Sequence, residues 1–146
     1  AGLVLGTSSY VHNKGARSRA EAEIAAMSAA LESYKADNGS YPASTLRPDA
    51  TDPSTYQTAS SDLLTILTGD TNSDGQPGPG TSYMSFKSNQ LGTSNPPFIK
   101  DPFGNSYGYS TLGPSSGGYN PTFDLWSTTG TSGVTAADQA EWIKNW

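Results

Sequence analysis

The sequence predicts an α+β fold: a long N-terminal α-helix packed on a small antiparallel β-sheet, with short additional helices and long loops. Ala20, Ile24, Met27, Leu31 and Tyr34 recur at spacings of four, three, four and three, one apolar stripe along a helix. Short aromatic-rich runs at Ser82–Lys87, Ser106–Thr111 and Phe123–Ser127 have strand character. Between them lie stretches of Gly, Pro, Ser, Thr and Asn, the residues of turns and loops.

The helix is the element to justify first. Ala22, Ala25, Ala26, Ala29 and Ala30 fill most of its remaining surface with the best helix former. Gly39 suits the left-handed conformation that closes a helix, and Pro42 stops any continuation. Arg17–Asn38 would span roughly 33 Å. Lys14, Arg17 and Arg19 stand where the helix dipole favours acids. The i,i+4 pairs Arg17–Glu21 and Arg19–Glu23 offset part of that penalty. A helix that continues upstream of Arg17 removes the rest. Residues 1–15 then read as the remnant of a longer apolar, membrane-spanning helix or as a frayed terminus, and residues 16–146 as the globular head.

Downstream, Ala43–Ser60 reads as a surface loop. Ser60, Ser61 and Asp62 offer N-caps for a short helix, LLTILT, which Gly69 closes. Its Leu63, Leu64, Ile66 and Leu67 are expected to pack on the long helix. Gly69–Gly80 is a turn-dense loop. The strand expected at Ser82–Lys87 turns Tyr83 and either Met84 or Phe86 inward. Asp101–Asn105 reads as a turn, and Thr135 caps a final helix, AADQAEWI, that carries Trp142 inward.

Composition narrows the function classes. One hundred and forty-six residues suit one domain with a modest core. With 34% apolar and 14% charged residues the chain is loop-rich, yet its aromatic content is too high for general disorder. A net charge of −5 argues against a nucleic-acid partner. The absence of cysteine excludes a disulfide framework and thiol chemistry.

Three separated blocks carry a family resemblance. Ala30–Pro42 reads ALESYKADNGSYP, Asp101–Tyr109 reads DPFGNSYGY, and Phe123–Ser127 reads FDLWS. Together with NKGARSRAEAEIAAMSA upstream, these blocks resemble type IV pilin-like subunits of type II secretion, most closely the major pseudopilin, general secretion pathway protein G. That family shows ALxxYKxDNxxYP at the end of its long helix, then DPWGxxYxY, then a D-hydrophobic-aromatic-S strand, and often a terminal NW. The resemblance covers most of the chain, with Ala43–Pro97 least constrained. It implies a filament subunit anchored in the bacterial inner membrane by its apolar helix, with the head in the periplasm or on a cell-surface filament. The implied partners are other pseudopilin or pilin subunits and inner-membrane components of the secretion system. Arg17, Arg19, Glu21 and Glu23 would lie where anchor meets head, suited to salt bridges between subunits. A type IV pilus subunit is the alternative within that class. The isolated fragment is expected to be monomeric.

Two loops are candidates for Ca²⁺. Asp70, Asn72 and Asp74 followed by Gly75 place oxygen ligands at positions one, three and five and a glycine at six, with the Gln76 carbonyl at seven. Thr81 stands where an EF-hand would have its closing Glu, so this is not an EF-hand. The same residues also suit a polar turn. The family resemblance points to a second, less favoured place, the loop after the last strand, where Ser132 replaces an expected Asp and Asp138 is the best candidate for the other, with Glu141 as the alternative. No catalytic reading emerges. His12 is the single histidine, no GxSxG motif occurs, and Asp101 and Asp124 have no spacing that marks a catalytic pair. The aromatic residues leave one alternative from another class, a calcium-dependent carbohydrate- or protein-binding module.

Overall fold

A computed structural model describes residues 2–48, 56–72, 74, 78–131 and 135–146, with the backbone alone for 2–12. Helix α1 runs from Gly2 to Asn38, 37 residues or about 55 Å. It does continue upstream of Arg17. Ala20, Ile24, Met27 and Leu31 are buried as their spacing requires, joined by Ala30, while Tyr34 is half-buried and edge-on to Tyr83. Gly39 closes the helix with a φ of 85°, its N–H donating to the Lys35 carbonyl at 2.7 Å. No helix among the described residues is long and apolar enough to cross a membrane.

Helix α2 spans Tyr56–Thr68, so it begins inside the stretch expected to be loop. Ser60, Ser61 and Asp62 are therefore helical rather than caps. The buried Ser60 hydroxyl donates to the Ile99 carbonyl (2.9 Å) and accepts from the Ile99 N–H (3.0 Å), tying α2 sideways to the extended chain. Gly69 ends α2 at a φ of 69°. Leu63, Leu64 and Leu67 are buried; Ile66 is half-buried at the surface.

Three short strands, β1 (Gly108–Ser110), β2 (Asp124–Ser127) and β3 (Ile143–Lys144), form an antiparallel sheet in that order. Gly108 pairs with Trp126, and Trp126 with Lys144. Two expectations need correction. Ser82–Lys87 is not a strand: the N–H groups of Tyr83 and Met84 both donate to the Leu67 carbonyl, at 2.8 and 3.0 Å, so this backbone serves the end of α2. Tyr83, Met84 and Phe86 still pack against the core. The last helix, α3, covers only Ala136–Glu141, because the chain then extends to pair Ile143 with Ser127. Its cap is the predicted one, with the Thr135 hydroxyl accepting from the Asp138 N–H.

The period-two alternation of the strands divides the sheet's contacts between two clusters. Tyr107, Tyr109 and Leu125 join α1 and the leucines of α2 in the main core. Trp126 instead joins Tyr56 and Trp142, flanked by Leu46 and Trp146, in a second, aromatic cluster.

Candidate functional site

The loop between Gly69 and Gly80 is pinched at its neck. Gly80 donates its N–H to the Gly69 carbonyl at 3.1 Å. A Cβ on Gly78 would stand 2.3 Å from that same oxygen, so the close crossing requires glycine. Within the loop Asp70 is buried, and its Oδ1 accepts the Asp74 N–H at 3.3 Å. Asn72 Nδ2 donates to Asp74 Oδ2 at 2.9 Å. Asp70, Asn72 and Asp74 are thus brought together, and all three carry oxygens of the kind a hard cation takes. Among the described residues no group of three His, Cys, Asp or Glu side chains is placed to hold a metal. Gln76 lies outside the described residues.

The second candidate loop is only partly described, since Ser132 also falls outside. Asp138 belongs to a capping box: its Oδ2 accepts the Thr135 N–H at 3.0 Å and the Thr135 hydroxyl.

On α1 the four candidate contact residues separate. Arg19 and Glu23 form the expected ion pair at 3.6 Å, with the Arg19 side chain 55% and Glu23 13% exposed. Glu23 is turned into the fold, where Tyr107 donates its hydroxyl at 2.5 Å and Gln90 its amide at 3.2 Å. Burial, and after it the Glu23 carboxylate, push the Tyr107 hydroxyl well above the usual range, so it remains a donor. Arg17 reaches the Glu141 carbonyl at 3.0 Å, fastening α1 to the end of α3. Glu21 is exposed. The inward role of Glu23 was missed in the sequence; its one signal was Tyr107, part of the DPFGNSYGY block.

Asp101 and Asp124 are both buried, and both organise turns. Asp101 Oδ1 accepts the N–H groups of Phe103 (3.0 Å) and Asn105 (2.9 Å), and Oδ2 accepts the Ser127 hydroxyl at 2.6 Å. Asp124 holds the N–H groups of Tyr119 (2.7 Å) and Asn120 (2.8 Å). Every one of these four oxygens has a donor within the chain.

Burial lifts the Asp101 carboxyl above its ordinary 3.8, outweighing the three donors, and nearby Glu23 adds to the rise. The folded chain therefore keeps this proton at pH values where the unfolded chain has lost it. Asp101 contributes stability that is fully present below the unfolded value and is lost as pH rises through the raised folded value. Asp101→Asn keeps an oxygen for the two N–H donors and removes the titration. In urea unfolding, the stability of wild type relative to the variant should grow on acidification from neutral pH to about 4. A constant or shrinking difference would mean that donors, not burial, control this carboxyl.

A groove of about 340 Å³ runs between residues 42–46 and α2, with Tyr109 and Leu63 among its walls and Asp62 on its lining. Arg17, Arg19 and Glu23 lie on α1, outside the lining of this groove. Comparison with protein-family models, with curated proteins and with solved structures finds no match to this chain.

Proposed function

We propose that this chain is a filament subunit of the pilin-like kind, most specifically a type II secretion pseudopilin, polymerising through α1. The observation that supports this best is the reach of α1. The helix begins at Gly2, while the first buried side chain described along it is Ala20. Asn13, Lys14, Ser18 and Arg19 are exposed, so the side chains described upstream of Ala20 leave much of the helix surface there available to pack with copies of itself. Ala22, Ala25, Ala26 and Ala29 are all exposed and give that helix a smooth outer side. On this reading the inner membrane holds the subunit before assembly, and the partners are other subunits and the membrane components of the secretion machinery. A type IV pilus subunit shares every one of these features.

Two measurements test the reading. Residues 1–146 by themselves should sediment as a monomer, because the alanines on the exposed face of α1 bury too little apolar surface to hold two heads together outside a filament; a tight, saturable dimer formed by the head alone would contradict it. In the native envelope, cysteines substituted for Ala22 and Ala29 should cross-link into a ladder of multimers. Monomers alone would contradict polymerisation through this helix.

Calcium belongs to the same proposal, at Asp70, Asn72 and Asp74. With few ligands in view, affinity is expected in the weak extracellular range of about 10⁻⁴–10⁻³ M. Calcium at about ten times that constant would add roughly 1.4 kcal/mol, a rise of about 3–5 °C in Tm. Thermal unfolding with calcium against chelator should show this shift in wild type and lose it in Asp70→Ala/Asp74→Ala. No shift in wild type removes both candidate loops. One that survives the double substitution moves the site to Ser132 and Asp138.

A further inference from the structure

We propose that the groove between residues 42–46 and α2 takes an extended, cationic peptide of another protein, added as a strand beside Ala43 and Thr45, whether or not the chain polymerises. Free of helix and turn, segment 42–46 lies against the end of β1. The Ser44 N–H donates to Thr111 Oγ1 at 2.8 Å, and the Thr111 N–H donates to the Ser44 carbonyl at 2.9 Å. Ser44 Oγ donates to the Tyr109 carbonyl at 2.8 Å, and the Tyr109 hydroxyl to the Pro42 carbonyl at 2.7 Å. Where Ser44 bonds towards the sheet, the backbone groups of its two neighbours turn the other way, as in any extended chain. Among the described residues the N–H and C=O groups of Ala43 and Thr45 have no hydrogen-bond partner, and both residues are exposed. Such an edge is a template for another strand. Pro42 and Pro48 bound it, so the open stretch is short and cannot run on into indefinite edge-to-edge pairing.

The opposite wall belongs to α2. Ala59, Leu63 and Ile66 recur at spacings of four and three, one apolar stripe that faces the segment across the groove of about 340 Å³. An open strand edge beside a helix offers both things a bound strand needs. Its backbone groups give affinity, and the space against the helix receives alternate side chains and gives specificity. A small apolar ligand would fill the space and leave the edge unpaired.

Charge selects the kind of peptide. Asp62 is exposed and is the one charged side chain on the groove's lining. Among the described residues it forms no ion pair. An arginine or lysine whose apolar stem crosses Leu63 and Ile66 would bring its charge to this carboxylate. A second copy does not supply such a residue. Outside α1 the chain's cations are Arg47, Lys87, Lys100 and Lys144. Arg47 is laid against Gly117, where a Cβ would stand 3.3 Å from its Cζ. The Lys87 N–H donates to Gln90 Oε1 and the Lys100 N–H to the Gln90 carbonyl, while Lys144 is paired with Trp126 in the sheet. Their backbones are already committed, so the strand comes from another protein.

The test is fluorescence anisotropy with a labelled, end-capped peptide, TVTRTVT, whose alternation puts the arginine and both valines on one face. Binding should be saturable, and glutamate in place of the arginine should weaken it at least tenfold. Asp62→Lys should invert that preference with Tm unchanged. Methylating one alternate set of the peptide's backbone nitrogens should abolish binding, and methylating the other set should leave it, since one edge of the peptide faces Ala43 and Thr45. Thr45→Pro removes an edge N–H that no native bond uses and should weaken binding tenfold or more. Should Thr45→Pro unfold the chain, the methylated peptides still decide. No saturable binding, equal binding of the arginine and glutamate peptides, or binding that survives both methylations would each overturn the proposal. So would a dimer in sedimentation that Asp62→Lys disperses, which would make a second copy the occupant.

Discussion

Gly108→Ala is expected to destabilise the protein by about 1–3 kcal/mol or more, although it adds a single methyl group. A Cβ at this position would stand 2.0 Å from Cε2 and 2.2 Å from Cζ2 of Trp126, far inside ordinary carbon contact of about 3.5–4.0 Å. The indole has no room to retreat. Trp126 is fully buried, edge-on to Tyr56 and stacked on Trp142, and its own strand pairs Trp126 directly with Gly108. Urea unfolding measures the loss, and a Trp126→Leu background identifies its cause. If the clash is with the ring, Gly108→Ala should cost about 0.5–3 kcal/mol less in that background, the coupling expected of residues in contact. Equal costs in both backgrounds would mean that backbone conformation, not the indole, demands glycine here.

Leu31→Ala should be as damaging, at about 2–5 kcal/mol, or roughly 6–15 °C in Tm for a domain of this size. Leu31 is fully buried on α1, in the core that also holds Leu63, Leu64, Tyr109 and Phe123. Neighbouring side chains held by helices and strands cannot collapse fully into the space left. The control is Ala25→Leu on the exposed side of the same helix, expected within about 0.5 kcal/mol of wild type. Reversal of the two effects would mean that α1 presents its other face to the core.

The helix was legible because its signal is repetitive. Four buried positions at helical spacing, from Ala20 to Leu31, identify a face without knowledge of what covers it. Turn chemistry was legible for a similar reason: Asp101 and Gly104 in DPFGN, and Thr135 with Asp138, act through bonds to their own neighbours. What escaped depends on distant partners. Ser60 looks like a cap but answers Ile99, and Ser82–Lys87 alternates like a strand but meets the carbonyl end of α2. β3, with only Ile143 and Lys144, is too short to have a period of its own and exists because β2 offers an edge. The candidate site divides along the same line. Asp70, Asn72 and Asp74 are near in sequence and near in space, whereas the link from Glu23 to Tyr107 spans the chain and is visible only once folded.

The central claim, that α1 is the polymerising element of a membrane-anchored filament subunit, is tested most directly by sequencing the coding region upstream of Ala1. An open frame encoding an apolar segment of about 20 residues, continuous with α1 and free of helix breakers, is the predicted result. A start codon immediately before Ala1, or a polar domain in place of the apolar segment, would contradict it.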